Sequence, residues 1–175
     1  MKIKVKLLVN DDESFIPQIV DKGEWIDLKA REDTFICRPQ WSPLKRENNE
    51  AFRDVDVNFT LIPLGIAMKL PEGFEAVLAP RSSTFKNYGI IQANGIGIID
   101  NSYSGNNDEW KFPAIALKDC CILKGDRICQ FRIQLSQKAT ILQKLRWLFA
   151  QKIELEIVND LGTDDRGGFG SSGRR

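Results

Sequence analysis

Histidine is absent from the 175 residues, and with it go Ser/His and Cys/His nucleophilic catalysis and the commonest zinc sites. Acid–base chemistry therefore falls to carboxylates, tyrosine or lysine. Excess charge of either sign is also missing, since 25 lysines and arginines face 24 aspartates and glutamates. No whole-molecule field selects duplex nucleic acid or an anionic membrane, so any phosphate recognition has to be local. No run approaches the roughly 20 apolar residues of a membrane span, and the first residues alternate lysine with apolar side chains where a secretory leader would have an apolar block. The expectation is a cytoplasmic protein with neither membrane nor nucleic acid as partner. Cys37, Cys120, Cys121 and Cys129 show no CxxC spacing. They read as buried reduced thiols, with the adjacent pair pointing to opposite faces of a strand.

What is present is a rhythm of short strands. KIKVKLLV over 2–9 alternates with period two, the mark of a strand with one buried face. Similar runs recur at 34–37, 58–62, 65–70, 74–79, 111–117, 127–135 and 153–158, separated by Pro, Gly and Asn. This pattern predicts an all-β sandwich or barrel in one domain over 1–158. Two segments break the rhythm. Residues 40–56 are polar and charged, with Pro43 and Asn48-Asn49, and read as a solvated loop. Over 141–151, Ile141, Leu145, Leu148 and Phe149 recur at helical spacing, which reads as a short amphipathic helix. Beyond Val158 the chain turns glycine-rich, and 159–175 read as a tail that is mobile until something binds.

Five clusters carry candidate chemistry. In EWIDLKA, Asp27 lies inside an apolar run and needs a donor, cation or water to be tolerated. Pro80-Arg81-Ser82-Ser83 follows an apolar strand with the donors a polyphosphate requires. Asn94-Gly95-Ile96-Gly97-Ile98-Ile99-Asp100-Asn101-Ser102-Tyr103 reads as a β-hairpin whose backbone can pair with a base edge, with Asp100 facing a pocket beside Tyr103. Gly125-Asp126-Arg127-Ile128-Cys129-Gln130 opens a strand; Asp126 and Arg127 form a structural ion pair, or Gln130 donates to phosphate. Arg166-Gly167-Gly168-Phe169-Gly170-Ser171-Ser172-Gly173 places one guanidinium, one aromatic and two hydroxyls among glycines whose N–H groups can approach phosphate closely.

In this order and spacing, from Trp25 to Gly173, the clusters resemble the five motifs of the trimeric dUTP pyrophosphatases (dUTPases). The resemblance implies a jelly-roll-like β-barrel, a homotrimer with active sites at subunit interfaces, and Mg²⁺-dependent hydrolysis of dUTP to dUMP and pyrophosphate, which limits uracil in DNA and supplies dUMP. It implies that Asp100 deprotonates the attacking water and that Asn94, Ile98 and Ile99 read uracil. Tyr103 would lie under the deoxyribose, while Arg81, Ser82, Ser83 and Gln130 hold the phosphates. Asp27 would organise the water shell of Mg²⁺, which takes its other ligands from phosphate oxygens. The tail would be a lid, with Arg166 on the γ-phosphate, Phe169 on the base, and Gly170, Ser171 and Ser172 beside the phosphates.

Two departures bear on this reading. Ser83 stands where dUTPases usually carry glycine, and Arg-Ser-Ser is similar to the related dCTP deaminases. Those enzymes need a catalytic glutamate downstream; Glu109 is nearby, in an apparent insertion over 106–110, whereas the strand over 112–117 offers no carboxylate. The segments 40–56 and 141–151 add a further alternative, a dUTPase scaffold that also binds a regulatory protein.

Overall fold

The computed structural model describes residues 1–9, 12–19, 24–48, 50–149 and 153–168. Its strands are β1 (Lys2–Leu7), β2 (Ile26–Lys29), β3 (Thr34–Ile36), β4 (Gln40–Trp41), β5 (Lys45–Glu47), β6 (Glu50–Phe52), β7 (Val55–Asp56), β8 (Phe59–Pro63), β9 (Ile66–Lys69), β10 (Phe74–Pro80), β11 (Ile90–Gln92), β12 (Gly97–Asp100), β13 (Lys111–Ala116), β14 (Cys120–Ile122), β15 (Arg127–Leu135) and β16 (Glu154–Ile157), with helices α1 (Thr84–Tyr88) and α2 (Ile141–Leu148). Each run that alternates in sequence lies in a strand, because one face of each is apolar and has to be buried.

The sheets pair in the orders β16-β1-β9, β12-β10-β15-β2, β11-β13-β8 and β14-β3. All these pairings are antiparallel except β1 with β16. Together they wrap one core, in the jelly-roll-like manner expected, with Ile3, Leu28, Ile62, Met68, Phe112 and Phe131 at its centre. Trp110 is fully buried and meets Phe131 edge-on, ring centres 5.1 Å apart.

Three expectations change. Residues 40–56 form a β-ribbon, with β4 pairing β7 and β5 pairing β6. Asn48 turns its tip with φ +50°, a conformation asparagine tolerates better than most residues. The ribbon's strands are exposed throughout, so no buried face marks them in the sequence. The helix forms over 141–148 with a Thr140/Gln143 capping box. Its expected apolar stripe is exposed, Ile141 at 75% and Phe149 at 76%, while Trp147 packs on Phe74 at 5.3 Å. Among the cysteines, Cys120 and Cys129 are buried, Cys37 is half-buried and Cys121 is exposed; the 120/121 pair does face opposite ways. No described helix is long and apolar enough to cross a membrane.

Candidate active site

Functional side chains gather in two groups at different places on the β12-β10-β15-β2 sheet. The first is built where β10 ends beside β2 and β15. Asp27 of β2 pairs in register with Gln130 of β15, and its carboxylate accepts from Arg81 Nε at 2.8 Å and Arg127 Nη1 at 3.2 Å. These guanidiniums are what allows Asp27 to lie in an apolar strand. The expected Asp126–Arg127 pair is not formed: Asp126 Oδ2 accepts the Leu123 N–H at 2.9 Å, closing its own turn, which leaves Arg127 for Asp27. Gln130 Nε2 donates to the Pro80 carbonyl at 3.3 Å.

Arg81 is held at its backbone as well as its side chain. Its N–H donates to Thr84 Oγ1 at 3.1 Å, and that buried hydroxyl donates to the Ile128 carbonyl at 2.6 Å. The side-chain hydroxyls of Ser82 and Ser83 have no hydrogen-bond partner among the described residues, and Ser82 is exposed. Ser83 has φ −91° at the start of α1, a right-handed backbone that does not demand glycine. A cleft of about 200 Å³ opens beside Asp27 and Arg127. Burial, with Asp27 adding to it, pushes the Cys129 thiol well above its ordinary value, so it stays protonated behind this group.

The second group is carried by β12 and the loop after it. The expected hairpin around Ile98-Ile99 is instead a turn between two sheets, because β11 pairs with β13 while β12 pairs with β10. β12 is thereby an edge strand, and its outer backbone groups are available to a base edge. Asn94 is exposed in the turn, Ile98 is exposed and Ile99 half-buried. At the end of β12, Asp100 accepts from both the N–H and the hydroxyl of Ser102. Arg166 Nη1 donates to both Asp100 oxygens, at 3.0 and 2.9 Å. Burial alone would raise the Asp100 pKa, but the Ser102 donors and Arg166 outweigh it and hold the carboxyl below its usual value. Tyr103 donates to the Glu109 carbonyl at 2.9 Å. Burial, then the nearby Asp108, Glu109 and Asp165 charges, push its hydroxyl up to about 12.

The stretch read from sequence as an insertion is the seat of the tail. Asp108, 2% exposed, accepts the N–H groups of Gly105 and Arg166 at 2.9 Å each and of Gly167 at 2.8 Å. Asn107 donates its N–H and its amide to Asp165 at 2.8 and 2.6 Å, and Thr163 donates to the Ser104 carbonyl at 2.6 Å. Leu161 is fully buried. Gly105 has no room for a side chain, since a Cβ there would collide with Asp165. Gly168 crosses the Tyr103 ring so closely that its own Cβ would lie 3.0 Å from it. Thus 160–168, the first part of the tail, are held against the loop after β12 by backbone and side-chain hydrogen bonds. Asp108 was missed because a polar Asn-Asn-Asp-Glu run looks solvated and two of its three partners are backbone groups 58 and 59 residues downstream.

Phe169, Gly170, Ser171 and Ser172 lie outside the described residues. Glu109 is committed elsewhere: it accepts from Arg31 Nη1 and the Gly65 N–H, both at 2.9 Å. Burial raises its pKa despite those partners. That engagement leaves it unsuited to the role a deaminase glutamate would fill. Among the described residues there is no cluster of three or more acidic or cysteine side chains able to cage a metal.

The two groups do not meet within one chain. Asp100 pairs with Glu75, and Arg81 lies six residues further along β10 and just past its end, about 20 Å away at strand rise. One triphosphate does not span that gap.

The dUTPase family model matches residues 49–173. The chain is 44% identical over 175 residues, covering 100% of both proteins, to the SPbeta prophage-derived deoxyuridine 5'-triphosphate nucleotidohydrolase of Bacillus subtilis. It is 38% identical over 176 residues, with 99% of each covered, to the deoxyuridine 5'-triphosphate nucleotidohydrolase of Finegoldia magna. The dUTPase structure from Streptococcus mutans aligns with a TM-score of 0.62 at 19% identity, over 78% of this chain and 98% of that one. A mutant dUTPase from phage phi11 of S. aureus, described with a structural Mg(II) ion, aligns at 0.57 and 15% identity, over 79% and 94%. These last two likenesses concern the fold, whereas the sequence relatives and the family model concern descent: the chain belongs to the dUTPase family.

Proposed function

We propose that this protein hydrolyses dUTP to dUMP and pyrophosphate at sites shared between copies of the chain, three per homotrimer. The observation that carries this reading is the separation of the two groups. A complete site needs the Asp100 group of one copy and the Arg81 group of another.

The chemistry follows from the donors in place. The outer edge of β12 and the Asn94 amide pair with uracil, and close packing at that edge excludes the thymine methyl. Tyr103, kept protonated, offers its ring to the deoxyribose and disfavours a 2′-hydroxyl. Asp100, kept ionised, accepts a proton from the water whose oxygen bonds to the α-phosphorus. The bond from that phosphorus to the bridging oxygen breaks, and pyrophosphate leaves with the electron pair. Arg81, Ser82, Ser83 and Gln130 of the neighbouring copy hold the phosphate chain. Arg166 moves from Asp100 to the γ-phosphate as the lid closes. Further along the lid, Phe169 covers the base and Gly170, Ser171 and Ser172 meet the phosphates.

The donor set fits Mg²⁺ bound chiefly by phosphate oxygens and water, with Asp27 ordering that shell through lone pairs its arginines leave open. When bound, the ion neutralises phosphate charge. An additional protein contact through the ribbon is favoured by one observation, the exposure of Trp41 (66%), Val55 (42%) and Phe52 (39%) on it. Deleting 40–56 would abolish such a contact and spare catalysis.

Shared sites are tested by complementation. Arg81→Ala and Asp100→Asn chains are each inactive; refolded together as a 1:1 mixture they should regain roughly a quarter of wild-type sites, the random-assortment expectation for a site drawn from two copies. No recovery, with mixed assemblies shown to form, would mean that each site belongs to one chain.

A further inference from the structure

Which end of the Asn94 amide faces outward is decided by a residue two positions before it. Gln92 ends β11 and is 7% exposed. Its Nε2 lies 3.3 Å from the Leu78 carbonyl oxygen in β10 and 3.0 Å from Asn94 Oδ1. A carbonyl only accepts, so the Gln92 group turned toward Leu78 must be the NH₂. The same NH₂ requires an acceptor from Asn94, which turns Oδ1 inward and leaves Nδ2 directed out of the turn. One backbone carbonyl thereby orients two amides in series.

The Gln92 amide is satisfied at its nitrogen end alone. Its Oε1 is buried with no hydrogen-bond partner among the described residues, a cost that an apolar residue of similar size would not carry. Gly97 keeps space for the amide, since a Cβ there would come within 3.0 Å of Gln92 Nε2.

We infer that Gln92 is a positioning residue for base selection. By presenting the NH₂ of Asn94, it makes the pocket a donor toward position 4 of a pyrimidine. Uracil offers a carbonyl oxygen there and is accepted. Cytosine offers an amino group, and donor facing donor leaves both unpaired, the situation in which polar sites discriminate most strongly. With Gln92 removed, the Asn94 amide turns over freely and can present its oxygen to cytosine. Thymine keeps the uracil carbonyl, so Gln92 plays no part in rejecting it. The inference rests on Asn94 contacting the base, as proposed above.

The test compares kcat/KM for dUTP, dCTP and dTTP, by pyrophosphate release, in the wild type, Gln92→Leu, Asn94→Ala and the double variant. Gln92→Leu should lower the dUTP/dCTP ratio by about tenfold or more, the ratio for dUTP over dTTP holding within about twofold. Its melting temperature should not fall below that of the wild type. Asn94→Ala should lower the same ratio, and adding Gln92→Leu to it should change nothing further. If Asn94→Ala collapses the ratio and Gln92→Leu leaves it intact, Gln92 does not position the amide. If Asn94→Ala leaves it intact, the reading of Asn94 as a base contact fails first and takes this inference with it. Parallel loss of discrimination against dCTP and dTTP in Gln92→Leu would mark a general structural role and overturn the proposal. Should Gln92→Leu not fold, Gln92→Met provides the same comparison.

Discussion

Replacing Asp108 by alanine removes the acceptor of three backbone N–H groups, two of them in the tail, at Arg166 and Gly167. Hydrogen bonds to a charged acceptor contribute about 1.5–3 kcal/mol each, and the part-exposed tail argues for the lower end. Loss of two weakens docking by about 3 kcal/mol, on the order of 100-fold in the docking equilibrium. The tail stays tethered, because Asn107 still holds Asp165 and Thr163 still reaches Ser104. Amide hydrogen exchange reads the effect directly. Arg166 and Gly167 should exchange on the order of 100-fold faster, while amides in β10 and β15 keep their protection. With Arg166 displaced from the site, kcat/KM for dUTP should drop by about 10- to 100-fold. Unchanged exchange at Arg166 and Gly167 would refute the latch. Equal acceleration throughout the core would show that Asp108 supports the whole fold instead.

Other consequences follow from the same geometry. Asp100→Asn should keep dUTP affinity near wild type while turnover falls by orders of magnitude, and near-normal turnover would remove Asp100 as the base. The depressed Asp100 pKa means that its charge, and the stability it adds through Ser102 and Arg166, are fully present above the ordinary carboxylate value of about 3.9 and vanish as pH falls through the lower folded value. Ser102→Ala removes the largest effect lowering that pKa, so the acidic limb of the kcat profile should move to higher pH; an unmoved limb would show that another group sets it. Gly105→Ala forces Asp165 out of contact without touching any charge. It should reproduce the exchange and activity losses of Asp108→Ala, and wild-type behaviour would disconnect tail docking from catalysis.

The strands were legible because alternation has one physical cause, a sheet with one face in the core, and 74–79 or 127–135 could serve no other structure so well. The ribbon at 40–56 was not legible, since its strands bury nothing and pairing alone leaves no pattern in side-chain type. The segment around Asn94 to Asp100 looked like a hairpin because glycines flank an apolar pair, but sequence does not say that β11 finds β13 while β12 finds β10. Asp27, Arg81 and Asp100 were legible as chemistry, whereas the pairing of Asp27 with Arg127, of Asp100 with Ser102 and of the tail backbone with Asp108 was not. Asp108 illustrates why: it binds backbone N–H groups, and every residue but proline has one. The nearest signal is Gly105 three residues before it, the spacing of an aspartate that closes its own turn, followed by the fully buried Trp110.

The proposed site takes dUTP and cleaves it between the α- and β-phosphates. A panel of dUTP, dTTP, UTP and dCTP, each with and without Mg²⁺, assayed for pyrophosphate and ammonia, tests it most directly. The protein should release pyrophosphate rapidly from dUTP with Mg²⁺, little from the other three, and ammonia from none; ammonia from dCTP, or equal turnover of dUTP and dTTP, would contradict a site specific for dUTP.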